Sequence, residues 1–452
     1  MKGYFSRFIL LSVFLLLACK NYALNTNSLL RGYRIQETEL KEWIKDCTIK
    51  NTPEEIDKWL KISPESFKNV DLCKAYYNAG LDFYNEKNKM LALQVFLKGF
   101  SIYTESPYKK DCAFYAAKIF YQINNKESAL HYINRAIDIG KEVAKPEPSF
   151  TEEAIQLKRR IRWDYISSYE GIPDDSVSDI AFDGDDIWIS MWTGGVARFT
   201  RSSRKLTIFF TKKGGLESPH TRCIQISGNR VWIGTYAGLF YYDKKIGKFF
   251  REKGNLGKVT IKKLRLIDKS LYAATLGRGL YLYDNNSGKW KNIFSGALHV
   301  TDVLKENGGL YIATLDKGLF FYSKGKFENI LRDVSAKTLC YVDNKLWVGT
   351  HGKGIFVLDL KGKIEQQYSS ESGLTSDYIE VIRNIKNTIV IGTLGGGANF
   401  YMPKKNSWAY LNILTGLPSN DVVCINFEKN HIWFGTLSGG IGILLTEDFE
   451  DI

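Results

Sequence analysis

Proline is scarce in this chain, 9 residues in 452, and histidine scarcer still at 5, whereas glycine reaches 39. That balance points to many tight turns. The cysteines are widely spaced and form no C-x-x-C pair, which excludes zinc-ribbon and thioredoxin-type chemistry. No H-E-x-x-H, G-x-S-x-G, Walker A or dinucleotide fingerprint occurs. Gly254-Asn255-Leu256-Gly257-Lys258 lacks P-loop spacing. Asp183-Gly184-Asp185-Asp186 lacks the later Glu of a calcium loop and reads as an acidic hairpin turn. His131, His220, His299, His351 and His431 are scattered, and although His220 and His299 share a repeat position they fall on non-adjacent units. The expectation is therefore no catalytic residue, no metal and no cofactor. Beyond the N-terminus, no apolar stretch reaches the ~18 residues of a spanning helix.

What is present begins with Lys2 and Arg7 ahead of the apolar run 8–18, too short to cross a bilayer and shaped as a secretory signal. It ends Leu16-Leu17-Ala18-Cys19. This ending resembles the lipobox of bacterial lipoproteins. The resemblance implies removal of 1–18, lipidation of Cys19 and a tether over 19–30. The chain is then exported and anchored in a bacterial envelope, touching the membrane through its lipid. Lys20 after the cysteine, in place of Asp, favours the periplasmic face of the outer membrane, with the surface or inner membrane as alternatives. The net charge of +13 would suit nucleic acid, but export excludes that partner and cleavage leaves +11. Cys47, Cys73, Cys112, Cys223, Cys340 and Cys424 read as small apolar fillers, with a Cys73–Cys112 bridge as the alternative.

Residues 31–162 carry helical patterning. Thr52-Pro53-Glu54-Glu55 has the composition of a helix start. Tyr76, Gly80, Phe83, Ala92, Phe96 and Gly99 form one unit, and Ala117, Phe120, Ala129, Ile133 and Ala136 a second. Their spacing resembles tetratricopeptide repeats. Ala92 to Ala129 is 37 residues against about 34 for that family, the excess falling at 106–110. Degenerate helices at 36–62 and 150–162 are expected to cap the stack, the last opening on a Ser149-x-x-Glu152 capping box.

From 163 to 452 one phrase recurs: IWISMWTGGV, VWIGTYAGL, LYAATLGRGL, LYIATLDKGL, LWVGTHGKGI, IVIGTLGGGA and IWFGTLSGGI. The anchors are Trp188, Trp232, Tyr272, Tyr311, Trp347, Val390 and Trp433, separated by 44, 40, 39, 36, 43 and 43 residues. A period near 40 with strand composition signals propeller blades. The residues flanking each anchor are apolar, so the second strand is buried on both faces. Two residues past the anchor only Ser, Gly or Ala occurs, as close sheet packing requires. Trp163-Asp164-Tyr165-Ile166 mirrors Trp408-Ala409-Tyr410-Leu411, so the N-terminal segment is expected to supply the outer strand of blade 7 and remove the open edge. The predicted fold is thus multidomain: an all-α TPR-like region followed by an all-β seven-bladed propeller.

Gly373-Leu374-Thr375-Ser376 and Gly416-Leu417-Pro418-Ser419, each followed by a W/V-I/F-G-T phrase, resemble the two-component-regulator propeller family, although blades 3 to 5 lack the Gly-Leu opening. That family's propellers usually form extracytoplasmic sensors. No kinase, transmembrane or DNA-binding module accompanies this one, so signalling does not carry over.

Four residues past the anchors stand Trp192, Tyr236, Leu276, Leu315, His351, Leu394 and Leu437, a ring of bulky side chains on turns and a candidate partner-binding rim. The alternative is that each folds over its own blade. Charge is uneven: 201–363 sums to +18, against −7 for 163–200 and −5 for 364–452. Arg222, Lys262, Lys263, Arg278, Lys317, Lys337 and Lys353 are expected on or near the partner face of this basic arc. The functional expectation is a non-catalytic, lipid-anchored scaffold or adaptor that binds other envelope proteins. The alternative is a sensor-like propeller reading an anionic polymer or glycan, and the third reading is an enzyme at the channel mouth.

Overall fold

The structure is a computed structural model that describes residues 36–52, 54–57, 70–102, 106–142, 148–203, 205–209, 215–295, 299–306 and 308–446. These fall into two units divided between Ile161 and Arg162. The expected signal segment, Cys19 and the expected tether lie outside the described residues.

The N-terminal unit contains α1 (Glu37–Ile49), α2 (Leu72–Asn85), α3 (Lys89–Ser101), α4 (Tyr108–Gln122), α5 (Lys126–Glu142) and α6 (Pro148–Arg162). Asp71 and Asn88 start α2 and α3 by accepting the orphan N–H groups of Lys74 and Leu91. Phe83, Ala92 and Phe96 lie in one buried core with Leu40 and Ile44 of α1. The small residues there set the approach distance. A Cβ on Gly80 would stand 2.6 Å from the Phe96 ring, and one on Gly99 2.8 Å from Tyr76 Cβ and 2.9 Å from Cys112 Sγ. Cys73 and Cys112 are neighbours without a bridge: all six described cysteines are buried thiols in no disulfide, and Cys73 Sγ donates to the Gly99 carbonyl at 3.4 Å.

Helix α1 stops at 50–52, where Asn51 turns left-handed (φ 56°) and the Thr52 N–H closes onto the Cys47 carbonyl at 2.8 Å. Residues 54–57 are helical, in line with the Thr52-Pro53-Glu54-Glu55 start, and 58–62 lie outside the described residues. Two local expectations are corrected. Helix α4 begins at Tyr108, so the connection expected over 106–110 is half helical. Helix α6 begins at Pro148, which puts Ser149 inside the first turn and not at the cap.

The second unit holds seven four-stranded antiparallel sheets. Blade 1 is β2 (Val177–Asp183), β3 (Asp186–Met191), β4 (Gly195–Thr200) and β5 (Lys205–Phe209). The first strands of the next five blades are β6 (Thr221–Ser227), β10 (Ile261–Ile267), β14 (Val300–Glu306), β18 (Ala336–Val342) and β22 (Ile379–Ile385). Each is followed by three more strands of its own sheet, ending at β25 (Ser407–Leu411). Blade 7 is β26 (Val422–Glu428), β27 (His431–Thr436) and β28 (Ile441–Leu445), completed by β1 (Trp163–Ile166). Strand β1 pairs antiparallel with β28, Trp163 opposite Leu444 and Ile166 opposite Ile441. The seven first strands contact one another in a closed cycle, β26 meeting β2. This is a seven-bladed propeller, sealed by its N-terminal strand.

The repeat's chemistry explains the ring. Every anchor is buried, and several reach the next blade: Trp188 lies 5.1 Å from Tyr242, Trp232 5.3 Å from Tyr283, Trp347 5.6 Å from Tyr401 and Trp433 5.3 Å from Phe182. Aromatic side chains thus fill the wedge between twisted sheets. A Cβ on Gly435 would strike Cys424 Sγ at 2.3 Å and Val177 at 2.9 Å, and one on Gly349 would strike Ile379 at 2.6 Å. Larger residues there would push the next blade's first strand away. The glycine that starts each third strand has positive φ, and on Gly440 a Cβ would meet the Ile166 carbonyl of the closing strand at 2.3 Å.

Candidate functional site

Each first strand carries a bulge ten residues before its anchor, where the register slips by one. A bulge re-aims a side chain and is enriched beside binding sites. The seven bulge residues are Ser178, Arg222, Lys262, Thr301, Lys337, Glu380 and Val423. All of them line one cavity of about 50 Å³ at the centre of the ring, joined by Trp192, Lys263, Asp302 and Arg383. This is the mouth of the central channel.

The rim residues stand at the same end. Each donates its backbone N–H to the carbonyl of the residue twelve before the anchor, Trp192 to Ser176, Tyr236 to His220 and so on to Leu437 with Asp421, at 2.8–3.1 Å. None of the seven is buried: Tyr236 and His351 are exposed, while Trp192, Leu276, Leu315, Leu394 and Leu437 are half-buried. At blades 1 and 2 the rim and channel merge. The Arg222 guanidinium lies 4.4 Å from the Trp192 ring centroid and 4.6 Å from that of Tyr236, and His220 sits edge-on to Tyr236 at 6.1 Å. Two aromatic faces therefore hold one cation at the mouth.

The basic arc splits. Arg278, Lys317 and Lys353 are exposed on the turns after the second strands of blades 3, 4 and 5. Arg222, Lys262, Lys263 and Lys337, expected on or near the partner face, line the channel mouth at that end of the ring. The cause is the bulge, which aims three of them into the channel.

Around the mouth, ion pairs hold the blades together. Arg265 grips Asp302 by two bonds of 2.7 Å, and Asp302 also accepts the backbone N–H of Leu339 at 3.0 Å. Burial pushes the Asp302 carboxyl up, but the Arg265 charge and hydrogen bonds outweigh it and hold the group below the usual carboxylate range. Lys337 pairs with Glu380, and Lys263 lies 3.6 Å from Asp179. Lys262 is half-buried by accessible surface yet walled in by the ring. Desolvation first, then the charges of Lys337 and Arg222, push it down to about 7. Arg383 is also lowered, by burial and then by Arg265.

The Asp183–Asp186 segment is a hairpin turn, as its composition implies: β2 ends at Asp183, β3 starts at Asp186, and Asp185 accepts the Ser202 N–H at 3.0 Å. Of the bulge ring, Arg222, Lys262 and Lys337 were among the sequence candidates, whereas Ser178, Thr301, Glu380 and Val423 escaped the rim-based reading, as did Arg265 and Arg383. Their sequence signal is a fixed offset from the anchors, ten residues for the bulge and seven for the two arginines. No helix among the described residues is long and apolar enough to cross a membrane.

Comparison with known proteins places the fold. No protein-family model matches the chain, and no curated protein does. Among solved structures, the extracellular domain of the hybrid two-component system BT3049 from B. thetaiotaomicron superposes with a TM-score of 0.52 at 18% identity, covering 63% of this chain and 41% of that one. The corresponding domain of BT4673 from the same organism gives 0.52 at 21%, covering 63% and 39%. YCF48 bound to a D1 peptide gives 0.50 at 13%, covering 64% and 97%. The chain spans about two fifths of the length of the two extracellular domains it matches. At these identities the likeness is one of fold, and the fold shared is the β-propeller.

Proposed function

We propose that this chain is a non-catalytic adaptor, lipid-anchored through Cys19 in a bacterial envelope, whose propeller docks another protein across the channel-mouth rim. The observation that carries the reading is the ring of seven side chains four residues past the anchors, none buried, set at one end of the ring with Trp192 and Tyr236 side by side at 6.3 Å. Aromatic anchors beside an arginine are the composition of interface hot spots. Helices α2 to α5 serve as TPR-like hairpins offering a second docking surface, a reading supported by the small-residue contacts of Gly80 and Gly99. The likeness to extracellular domains and to a peptide-bound propeller accords with this function. A photo-crosslinking residue placed at Tyr236 or His351 in the producing cells is expected to trap one defined protein. The same residue at Ile246, exposed on a hairpin turn between the outer strands of blade 2, is expected not to. Equal trapping at all three positions, or none at the rim, refutes the docking face.

A second reading, an anionic polymer or glycan laid along blades 3 to 5, is favoured by Arg278, Lys317 and Lys353 recurring exposed at one register position. Such binding weakens with salt and with charge reversal at Arg278 and Lys317. Binding that ignores both refutes it.

A further inference from the structure

We propose that the channel mouth is a site for one compact oxyanion, a sulfate, phosphate or carboxylate group, gripped by Arg222, Lys262 and Arg383. This goes beyond docking on the rim and concerns the hole that the rim surrounds.

The argument starts from unbalanced charge. The channel's carboxylates are already engaged: Asp302 with Arg265, Glu380 with Lys337, and Asp179 with Lys263. Among the described residues, Arg222, Lys262 and Arg383 have no carboxylate within ion-pair distance, and all three line the same cavity. Clustered cations in a low-dielectric channel repel one another unless an anion joins them.

The donors are also prepared. Arg222 is held between Trp192 and Tyr236, so little side-chain entropy remains to be lost on binding. Arg222 Nε and Trp192 Nε1 are buried and have no hydrogen-bond partner among the described residues. With Nε closed off, the outward donors of the guanidinium are its terminal N–H groups, and these are the ones a bound oxyanion accepts from.

Size sets the class. About 50 Å³ accommodates a few water molecules, hence one oxyanion group and not a sugar ring. The group is either free or the charged end of a larger molecule whose remainder lies over Tyr236 and His220.

Protonation follows from the same geometry. Lys262 faces Arg222, Lys263, Lys337 and Glu380, and burial with the cations outweighs the single carboxylate. An anion beside Lys262 restores its proton, so binding takes up a proton and tightens as pH falls through about 7.

The test is calorimetric titration of the full-length protein with sodium sulfate, sodium phosphate and glucose 6-sulfate at constant ionic strength. One-to-one binding of at least one is expected, weakened roughly tenfold or more by Lys262→Met and by Arg222→Gln. It is expected to be unchanged by Lys404→Met on an exposed turn, and tighter at pH 6 than at pH 8. Thermal melts verify folding, and Lys262→Met relieves crowding, so that variant stays folded and informative. Tighter binding of the sugar sulfate that Tyr236→Ala selectively weakens assigns the charged end of a larger ligand, whereas equal affinities assign a free anion. Absence of saturable binding by all three, or equal affinity in wild type and Lys262→Met, overturns the proposal.

Discussion

Closure of the ring rests on Trp163, and its removal should weaken the whole propeller. The side chain is 5% exposed. Its ring stacks on Tyr165 at 6.2 Å, meets Phe434 at 5.9 Å and donates from Nε1 to the Thr415 carbonyl at 3.2 Å. Gly416 and Gly442 lie against it so closely that added Cβ atoms would stand 2.3 and 3.0 Å away. Truncating a buried aromatic of this kind costs about 3–5 kcal/mol in transfer and cavity terms. For a domain of this size that corresponds to a melting shift of roughly 6–10 °C. The measurement is differential scanning calorimetry of Trp163→Ala beside Trp408→Ala, its equivalent in blade 6, and Tyr169→Ala, 97% exposed. The two tryptophan variants should fall together and the tyrosine variant should match wild type within about 1 °C. Hydrogen exchange should rise across β28, which loses its outer partner. A Trp163→Ala protein that melts like Tyr169→Ala, with β28 still protected, would refute closure by this strand.

Asp302→Ala should destabilise the propeller by about 2–4 kcal/mol by leaving the half-buried Arg265 charge unpaired, and Asp302→Leu with Arg265→Met should recover most of it, both read by chemical denaturation. In the helical unit, Gly80→Ala gains about 1 kcal/mol of helix propensity but forces a methyl against Phe96, so the net change should be a loss of about 1–2 kcal/mol, relieved by Phe96→Leu. Lys262 is depressed to about 7, well below the ordinary lysine range. The unfolded chain therefore binds its proton across that window while the folded one does not, and stability should rise by up to about 1.4 kcal/mol per pH unit above pH 7. Lys262→Met should flatten that slope, and an unchanged slope would contradict the crowded-cation account.

The seven anchors, the small residue two places on and the positive-φ glycine could all be read from spacing, because each is dictated by one blade and its neighbour. Closure was equally legible, since Trp163 and Tyr165 repeat Trp408 and Tyr410 down to the hydrogen bonds: Tyr165 Oη donates to the Gly416 carbonyl at 3.0 Å and Tyr410 Oη to that of Gly373 at 2.8 Å. Helix ends were less legible: α6 opens at Pro148, which turns Ser149 from the expected cap into a first-turn residue.

The sequence by itself determined the repeat, the number of blades and the strand that seals them, since those depend on periodic burial along the chain. The tertiary structure decided which charges meet. Arg222, Lys262 and Arg383 are up to 161 residues apart and become neighbours only when seven first strands converge and their bulges turn inward. An arc of positive charge along the sequence thereby becomes, in part, an inward-facing cluster around one narrow hole.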